Sequence, residues 1–293
     1  MIRSMRYREI SPRPPLSNFV ECFWTLEGDG PQPGAAPERI LPDGCVELIL
    51  NFGERFSQHN DNGRELQPRH FLVGQMSGPI LISPNGAVEL LGIRFHPGGT
   101  SAFMRVPMNA LTDRIAELGS LSSELERELL SVSECLPALD EKIAAVEAAL
   151  IGRLRCSSHE SSAMRLAARI VQSAGVISVD QLASDAGISS RQLERRFMRE
   201  IGVGPKLLSR ILDFNRSFAP LSAWIRLGRR SPSSAVTTIR PTSFATSTSL
   251  PARPRQFCWP SGARSRTPSH AKRERRIFPI PPFDFVVEWR RGE

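Results

Sequence analysis

No stretch of this 293-residue chain stays apolar for the length a bilayer requires, and no signal-peptide pattern opens it. Neither a membrane partner nor export is expected, and the cytoplasm is the expected compartment. Cysteine is sparse, with five residues at irregular spacing. An odd and unpatterned set makes neither a disulfide framework nor a zinc site, so the thiols read as buried or idle. Histidine is equally sparse, and of five copies only His96 falls within a motif. A metal or catalytic cluster needs several convergent groups, so no catalytic residue, metal or cofactor is expected, and the chain is not read as an enzyme. Excess positive charge is also missing from the part that reads as folded. The net charge is +8, but residues 218–293 hold 14 Lys and Arg against 4 Asp and Glu, which leaves 24 against 26 in residues 1–217. An argument for nucleic-acid binding must therefore come from a motif and not from overall basicity.

What is present begins with strand-like segments over 19–27, 45–51, 70–75, 79–83 and 87–95, separated by Pro and Gly at 31–37, 42–44 and 97–99. Val20, Cys22, Trp24 and Leu26 alternate with Glu21, Phe23 and Thr25, which suits a sheet with one face on a core. An antiparallel β-rich barrel or sandwich is expected over 1–115, with room inside for a small effector. Asp43, Glu47 and His96 are the candidates for a metal or catalytic site there. Pro42-Asp43-Gly44 reads more simply as a turn in which Asp43 bonds its own backbone, and Glu47 as a cross-strand partner of Arg94. Over 116–156 the pattern turns helical. Ile143, Val146, Leu150 and Leu154 recur at helical spacing, which fits a packing helix and a dimerisation or linker helix equally.

Residues 177–217 carry the most informative pattern. Ser178 followed by Gln181, and Ser189 followed by Gln192, each fit a capping box at a helix start. Gly187 between them supplies the sharp turn that ends the first helix. Leu193 and Phe197 lie one turn apart and point inward, leaving Arg191, Gln192, Arg195, Arg196 and Arg199 on the outer faces. Two short helices joined in this way form a unit whose second helix enters the major groove. Arg191, Gln192 and Arg195 are the expected base readers, since Arg forks onto guanine and Gln onto adenine. Arg196 and Arg199 flank them as phosphate contacts, and Ser189 and Ser190 sit where a helix N-terminus holds a phosphate. An ordinary α-hairpin with a solvated basic face is the simpler alternative. Ala163, Leu166, Ala167 and Ile170 give the helix that opens this region.

These residues resemble the first half of an AraC/XylS-type DNA-binding domain. The matching marks are Leu182-Ala183 and Ala186-Gly187-Ile188-Ser189, then Arg191 to Phe197, then Gly202 with Pro205-Lys206, and a helix ending Asp213-Phe214-Asn215-Arg216. The resemblance implies that this last helix joins two helix-turn-helix units reading successive major-groove faces. The chain has Asp213 where the family usually carries a basic residue, which removes one expected phosphate contact. Residues 5–115 resemble the uncharacterised sensor-like domain found ahead of some such DNA-binding domains. The marks are Tyr7 and Pro12, then Leu41 to Leu48, then Gly92 to Gly99, then Phe103 and Val106-Pro107.

After Ser217 the text changes to Ser, Thr, Pro and Arg with no apolar period. Composition alone predicts a disordered tail. A frameshift near residues 217–219 explains more. Moved back by one base, the codons of Ala235 to Ser243 permit Cys-Gly-Tyr-Tyr-Asp-Gln-Ala-His-Phe, and those of Pro251, Ala252 and Arg255 permit Thr-Gly-x-x-Pro. That text resembles the second half of the same domain, although the shifted codon at Cys258 permits only Leu where the family usually has an aromatic. Loss of that half should expose Leu208, Ile211, Leu212 and Phe214.

The expected class is α+β: a β-rich N-terminal domain (1–115), a helical linker (116–156), an incomplete all-α helix-turn-helix domain (157–217) and a disordered basic tail (218–293). The expected function is sequence-specific transcription regulation, weakened by the missing half, with double-stranded DNA as partner and room for a small-molecule effector and a homodimer. The alternatives are a small-molecule-binding or enzymatic β-barrel with a helical appendage, and a non-functional frameshifted product.

Overall fold

The structure, a computed structural model, describes residues 5–31, 35–154, 161–217, 237–240 and 286–289. The N-terminal part is built from β1 (Met5–Ile10), β2 (Val20–Gly28), β3 (Glu38–Ile40), β4 (Val46–Asn51), β5 (Ser57–Asn60), β6 (Gly63–Leu66), β7 (His70–Val73), β8 (Ile80–Ser83), β9 (Val88–Phe95) and β10 (Ile115–Glu117). Six helices follow: α1 (Leu118–Ser133), α2 (Leu139–Leu154), α3 (Ser162–Gln172), α4 (Val179–Asp185), α5 (Ser190–Glu200) and α6 (Pro205–Ser217). Two short strands, β11 (Thr237–Arg240) and β12 (Val286–Trp289), come last.

The strands form an eight-stranded sheet in the order β10-β7-β4-β9-β2-β1-β11-β12 and a four-stranded sheet in the order β3-β8-β5-β6. The pairings among β1 to β10 are antiparallel, with β2 and β9, the longest strands, and β4 at the centre of the large sheet. Neither sheet closes on itself among the described residues, so the barrel alternative is corrected to two open sheets.

A second correction concerns β2, which buries both faces. Phe23 joins Leu48, Leu50, Leu72, Leu91 and Ile93 on one side, where α1 and α2 contribute Leu125, Leu129, Leu139, Ile143, Val146 and Leu150. Cys22 and Trp24 join Ile49, Phe56, Phe71, Val88 and Leu90 on the other, with Ile82 of β8 packed against them. The large sheet is thus a middle layer between helices and the small sheet. Ile143, Val146, Leu150 and Leu154 all belong to the first core, so α2 is a packing helix. Polar contacts fix its position. Arg8 pairs with Asp140, Arg13 with Glu147, and the Lys142 ammonium lies 4.0 Å from the Phe52 ring centroid.

The helical part has its own core, in which Ala163, Leu166, Ala167 and Ile170 of α3 meet Leu182, Ala183, Leu193, Phe197 and Leu208. Beyond Ser217 the expectation of a disordered tail meets one difference. Thr237, Thr238 and Ile239 pair antiparallel with Tyr7, Arg6 and Met5. The outer edge of β1 offers unpaired backbone groups, and Thr and Ile are good strand formers, so this segment extends the sheet. Apart from β11 and β12, residues 218–293, including most of the segment assigned to the shifted frame, lie outside the described residues.

Candidate nucleic-acid interface

The α4–α5 pair is held by local chemistry at each end. At the start of α4, Ser178 Oγ accepts from Gln181 N at 3.1 Å. The reciprocal bond expected of Gln181 is not made, because its amide donates to Asp185 Oδ1 at 2.5 Å. Arg169 of α3 pairs with the same carboxylate. Hydrogen bonds from Arg169 and then Gln181 hold the Asp185 carboxyl below its usual range. α4 ends as its sequence implies: Gly187 adopts φ +64°, its N–H reaches Ser184 O at 3.0 Å, and Ile188 N reaches Ala183 O at 3.1 Å. These two bonds pair the last carbonyls, and they need a residue free of Cβ strain at Gly187.

α5 starts with a complete capping box. Ser189 Oγ accepts from Gln192 N at 3.2 Å while Gln192 Oε1 accepts from Ser189 N at 3.0 Å. Leu193 and Phe197 are wholly buried, and this fixes which way the helix faces. Arg191, Gln192, Arg195 and Arg199 are exposed, as expected.

Besides Ser189, whose hydroxyl serves the cap, three of the named site residues have other partners. Gln192 lends its amide oxygen to the cap, so only its N–H2 is left for a base edge. The Ser190 hydroxyl lies 3.2 Å from Asp180 Oδ1 on α4. Arg196 is half-buried and donates to Ser162 Oγ at 3.2 Å, tying α5 to the start of α3 rather than facing outward. Ser162 carries no signal that pairs it with Arg196 in the sequence. Their contact appears only once α3 crosses α5.

α6 begins at Pro205, three residues after Gly202 at φ +103°. Its apolar face is not open. Leu208 is wholly buried and Ile211 nearly so, against the expectation that loss of a second unit would expose them. Leu208 packs in the helical core with Ile170, Leu193 and Phe197, and on its other side Leu208, Leu212 and Ile211 side-chain atoms lie close to Gly44. Phe214, by contrast, is 44% exposed. Beside this helix a cleft of about 340 Å³ opens toward the 175–179 loop, lined by Ile177, Val179, Lys206, Ser209, Arg210 and Asp213. It lies among the helices. The space between the sheets, where an effector pocket was expected, holds the packed side chains of Trp24, Ile49, Phe56 and Leu90.

On the sheet, Asp43 and Glu47 gather around a cation of the chain itself. Arg94 Nε donates to Glu47 Oε1 at 2.7 Å and lies 3.5 Å from Asp43 Oδ2, while Nη1 reaches Glu9 Oε1 at 3.2 Å. Burial pushes the Glu47 carboxyl above its usual range although Arg94 pulls it down. The same burial raises the Cys22 thiol, again against the pull of Arg94. Asp43 Oδ1 also accepts from Cys45 N at 2.9 Å, the backbone turn expected of it. His96 takes no part in this cluster. Its backbone N–H donates to Phe19 O, and its carbonyl accepts from Gly99 N at the bend after β9. No group of three or more His, Cys, Asp or Glu suited to a metal occurs among the described residues. No helix there is long and apolar enough to cross a membrane.

Residues 8–117 match the family of DUF6597, a domain of unknown function. The match spans nearly the stretch read from the sequence as an uncharacterised N-terminal domain. No curated protein matches the chain. Among solved structures, the AraC-like transcriptional activator CuxR is similar at 13% identity, covering 72% of this chain and 78% of its own, with a TM-score of 0.31. An apo ToxT variant from Vibrio cholerae is similar at 10% identity, covering 69% and 83%, with a TM-score of 0.36. PhpD with cadmium and hydroethylphosphonate follows at 12% identity, 82% and 55% coverage, and 0.24. Overlaps this slight decide neither fold nor activity.

Proposed function

We propose that this chain is a DNA-binding transcription regulator of the AraC type, with one of the two helix-turn-helix units intact. The observation that carries the reading is the α4–Gly187–α5 unit. Both of its helix ends are capped by their own side chains, its inner face is buried, and the exposed start of α5 bears Arg191, Gln192 and Arg195. Arg191 and Arg195 read base edges and Arg199 grips phosphate, since each is an exposed cation on the outer side of a groove-sized helix. Gln192 serves first as a cap, and Ser189 and Ser190 set the helix start. Arg196 positions α5 against α3. Double-stranded DNA is the partner, and no catalytic step is assigned to the chain.

The second unit is written out of frame from about residue 218, so this chain makes fewer contacts than an intact protein. Selection from randomised duplexes, with this chain and with one rebuilt in the restored frame, tests both points. The restored protein should enrich a two-part site, and this chain a single half of it at lower affinity. Failure of both to enrich any sequence sinks the DNA reading. A stop codon or unrelated residues in the alternate frame of the gene sinks the frameshift alone.

A further inference from the structure

The Pro42–Cys45 turn makes two sets of contacts that the reading of α5 does not use. Its side chain faces the ionic cluster of the sheet. Asp43 Oδ1 closes the turn on Cys45 N at 2.9 Å, and Oδ2 lies 3.5 Å from Arg94 Nε. Its backbone faces the helices and the loop after β7. Pro42 O accepts from Asn215 Nδ2 of α6 at 3.0 Å, and Gly44 O accepts from Gln75 Nε2 at 2.7 Å. Gly44 has φ +86°, and a Cβ built there would stand 3.0 Å from Leu208 Cδ1. One short segment is therefore bonded to Arg94 through its side chain and to α6 through its main chain.

Two features make this a contact that can give way. The Asp43–Arg94 approach is the longest of the three ion pairs that Arg94 makes, so it is the first of them to yield when the cluster is disturbed. Gln75 Oε1 is buried without a hydrogen-bond partner, which penalises the docked arrangement. α6 is rigidly joined to α5, since Leu208 shares a core with Leu193 and Phe197.

We propose that the Pro42–Cys45 turn is a coupling element, which passes the state of the Arg94 cluster to the position of α6 and so to α5. Its consequence for DNA rests on the proposed function, but the coupling itself is read without DNA. The test is hydrogen–deuterium exchange by mass spectrometry on peptides covering 205–217 of the full chain. Asp43→Asn keeps an oxygen for Cys45 N and removes the charge facing Arg94. Exchange in α6 should rise several-fold. Asn215→Ala should raise it similarly, and the double variant no further than Asn215→Ala alone, because both cut one path. Unchanged α6 exchange in Asp43→Asn, or additive effects in the double variant, overturns the proposal. If Asp43→Asn melts the sheet, Glu9→Gln gives a second reading of opposite sign. It releases Arg94 toward Asp43, so α6 exchange should fall, and a rise or no change refutes the coupling. Duplex binding measured on the same variants separates the two ideas. A chain that binds no DNA yet shows the exchange pattern keeps the coupling and loses the function.

Discussion

Arg191, Arg195 and Arg196 look alike in the sequence and do different things in the fold. The first two stand exposed at the start of α5, while Arg196 is spent on Ser162. Arg191→Ala and Arg195→Ala should each weaken duplex binding by about 1–3 kcal/mol and relax base preference, with the melting temperature unchanged. Arg196→Ala should instead lower stability by about 0.5–1.5 kcal/mol. Fluorescence anisotropy beside denaturant titration separates them, and equal affinity losses for all three would contradict the assignment. Gly44→Ala should cost about 1–2 kcal/mol through its positive φ, before the crowding on Leu208 is added; urea titration measures it. His70 gives the pH prediction. It is buried beside Phe52, and burial holds its imidazole below the ordinary 6.5. The unfolded chain then takes up the proton first, so stability is complete above the unfolded value and is lost as pH falls through it. Thermal melts from about pH 7.5 to about pH 5.5 should fall less in His70→Gln than in the parent. Equal falls would remove His70 as the cause.

At the scale of elements, helices were easier to read than strands. The start of α5 was legible from Ser189 and Gln192 because a capping box is local: both partners lie within one turn. Ser189→Ala should accordingly cost about 1 kcal/mol, and Phe197→Ala about 3–5 kcal/mol because Phe197 is wholly buried in the helical core. Loss of the helical circular-dichroism signal at lower denaturant would register both, and a silent Phe197→Ala would mean that this core is not formed. The first capping box was only half right, since Gln181 has a better partner in Asp185, whose carboxylate is fixed by Arg169 from another helix. In β2 the alternation was real but its meaning was not. The alternation implies an open face at Phe23 and Thr25, and helices α1 and α2 cover it. Strands β3, β5 and β6 had no apolar pattern to read: β3 and β6 are short and exposed, and β5 is Ser-Gln-His-Asn.

For the whole molecule, α6 leaves less apolar surface open than its sequence suggests, since Leu208 and Ile211 are buried. Leu208 is buried in the helical core, and the Pro42–Cys45 turn lies beside Leu208, Ile211 and Leu212, so α6 is packed against both. Restoring the frame should therefore change DNA affinity far more than it changes the stability of residues 5–217. The salt dependence should steepen with it, by a tenfold or greater loss of binding between about 50 and 200 mM salt for each set of phosphate contacts regained; equal salt slopes for the two chains would argue against a second DNA-reading unit. The sequence by itself determined what is local or compositional: the capped helices about Gly187, the inward Leu193 and Phe197, the strand pattern of residues 19–95, and the change of text after Ser217. Those features depend on neighbours a few residues apart. The tertiary structure alone decided that two open sheets form instead of a barrel, that α2 packs on the sheet, that Arg196 turns inward, and that Asp43 stands between Arg94 and α6. Each of these depends on residues tens to more than a hundred positions apart, and only the folded chain brings them within bonding distance.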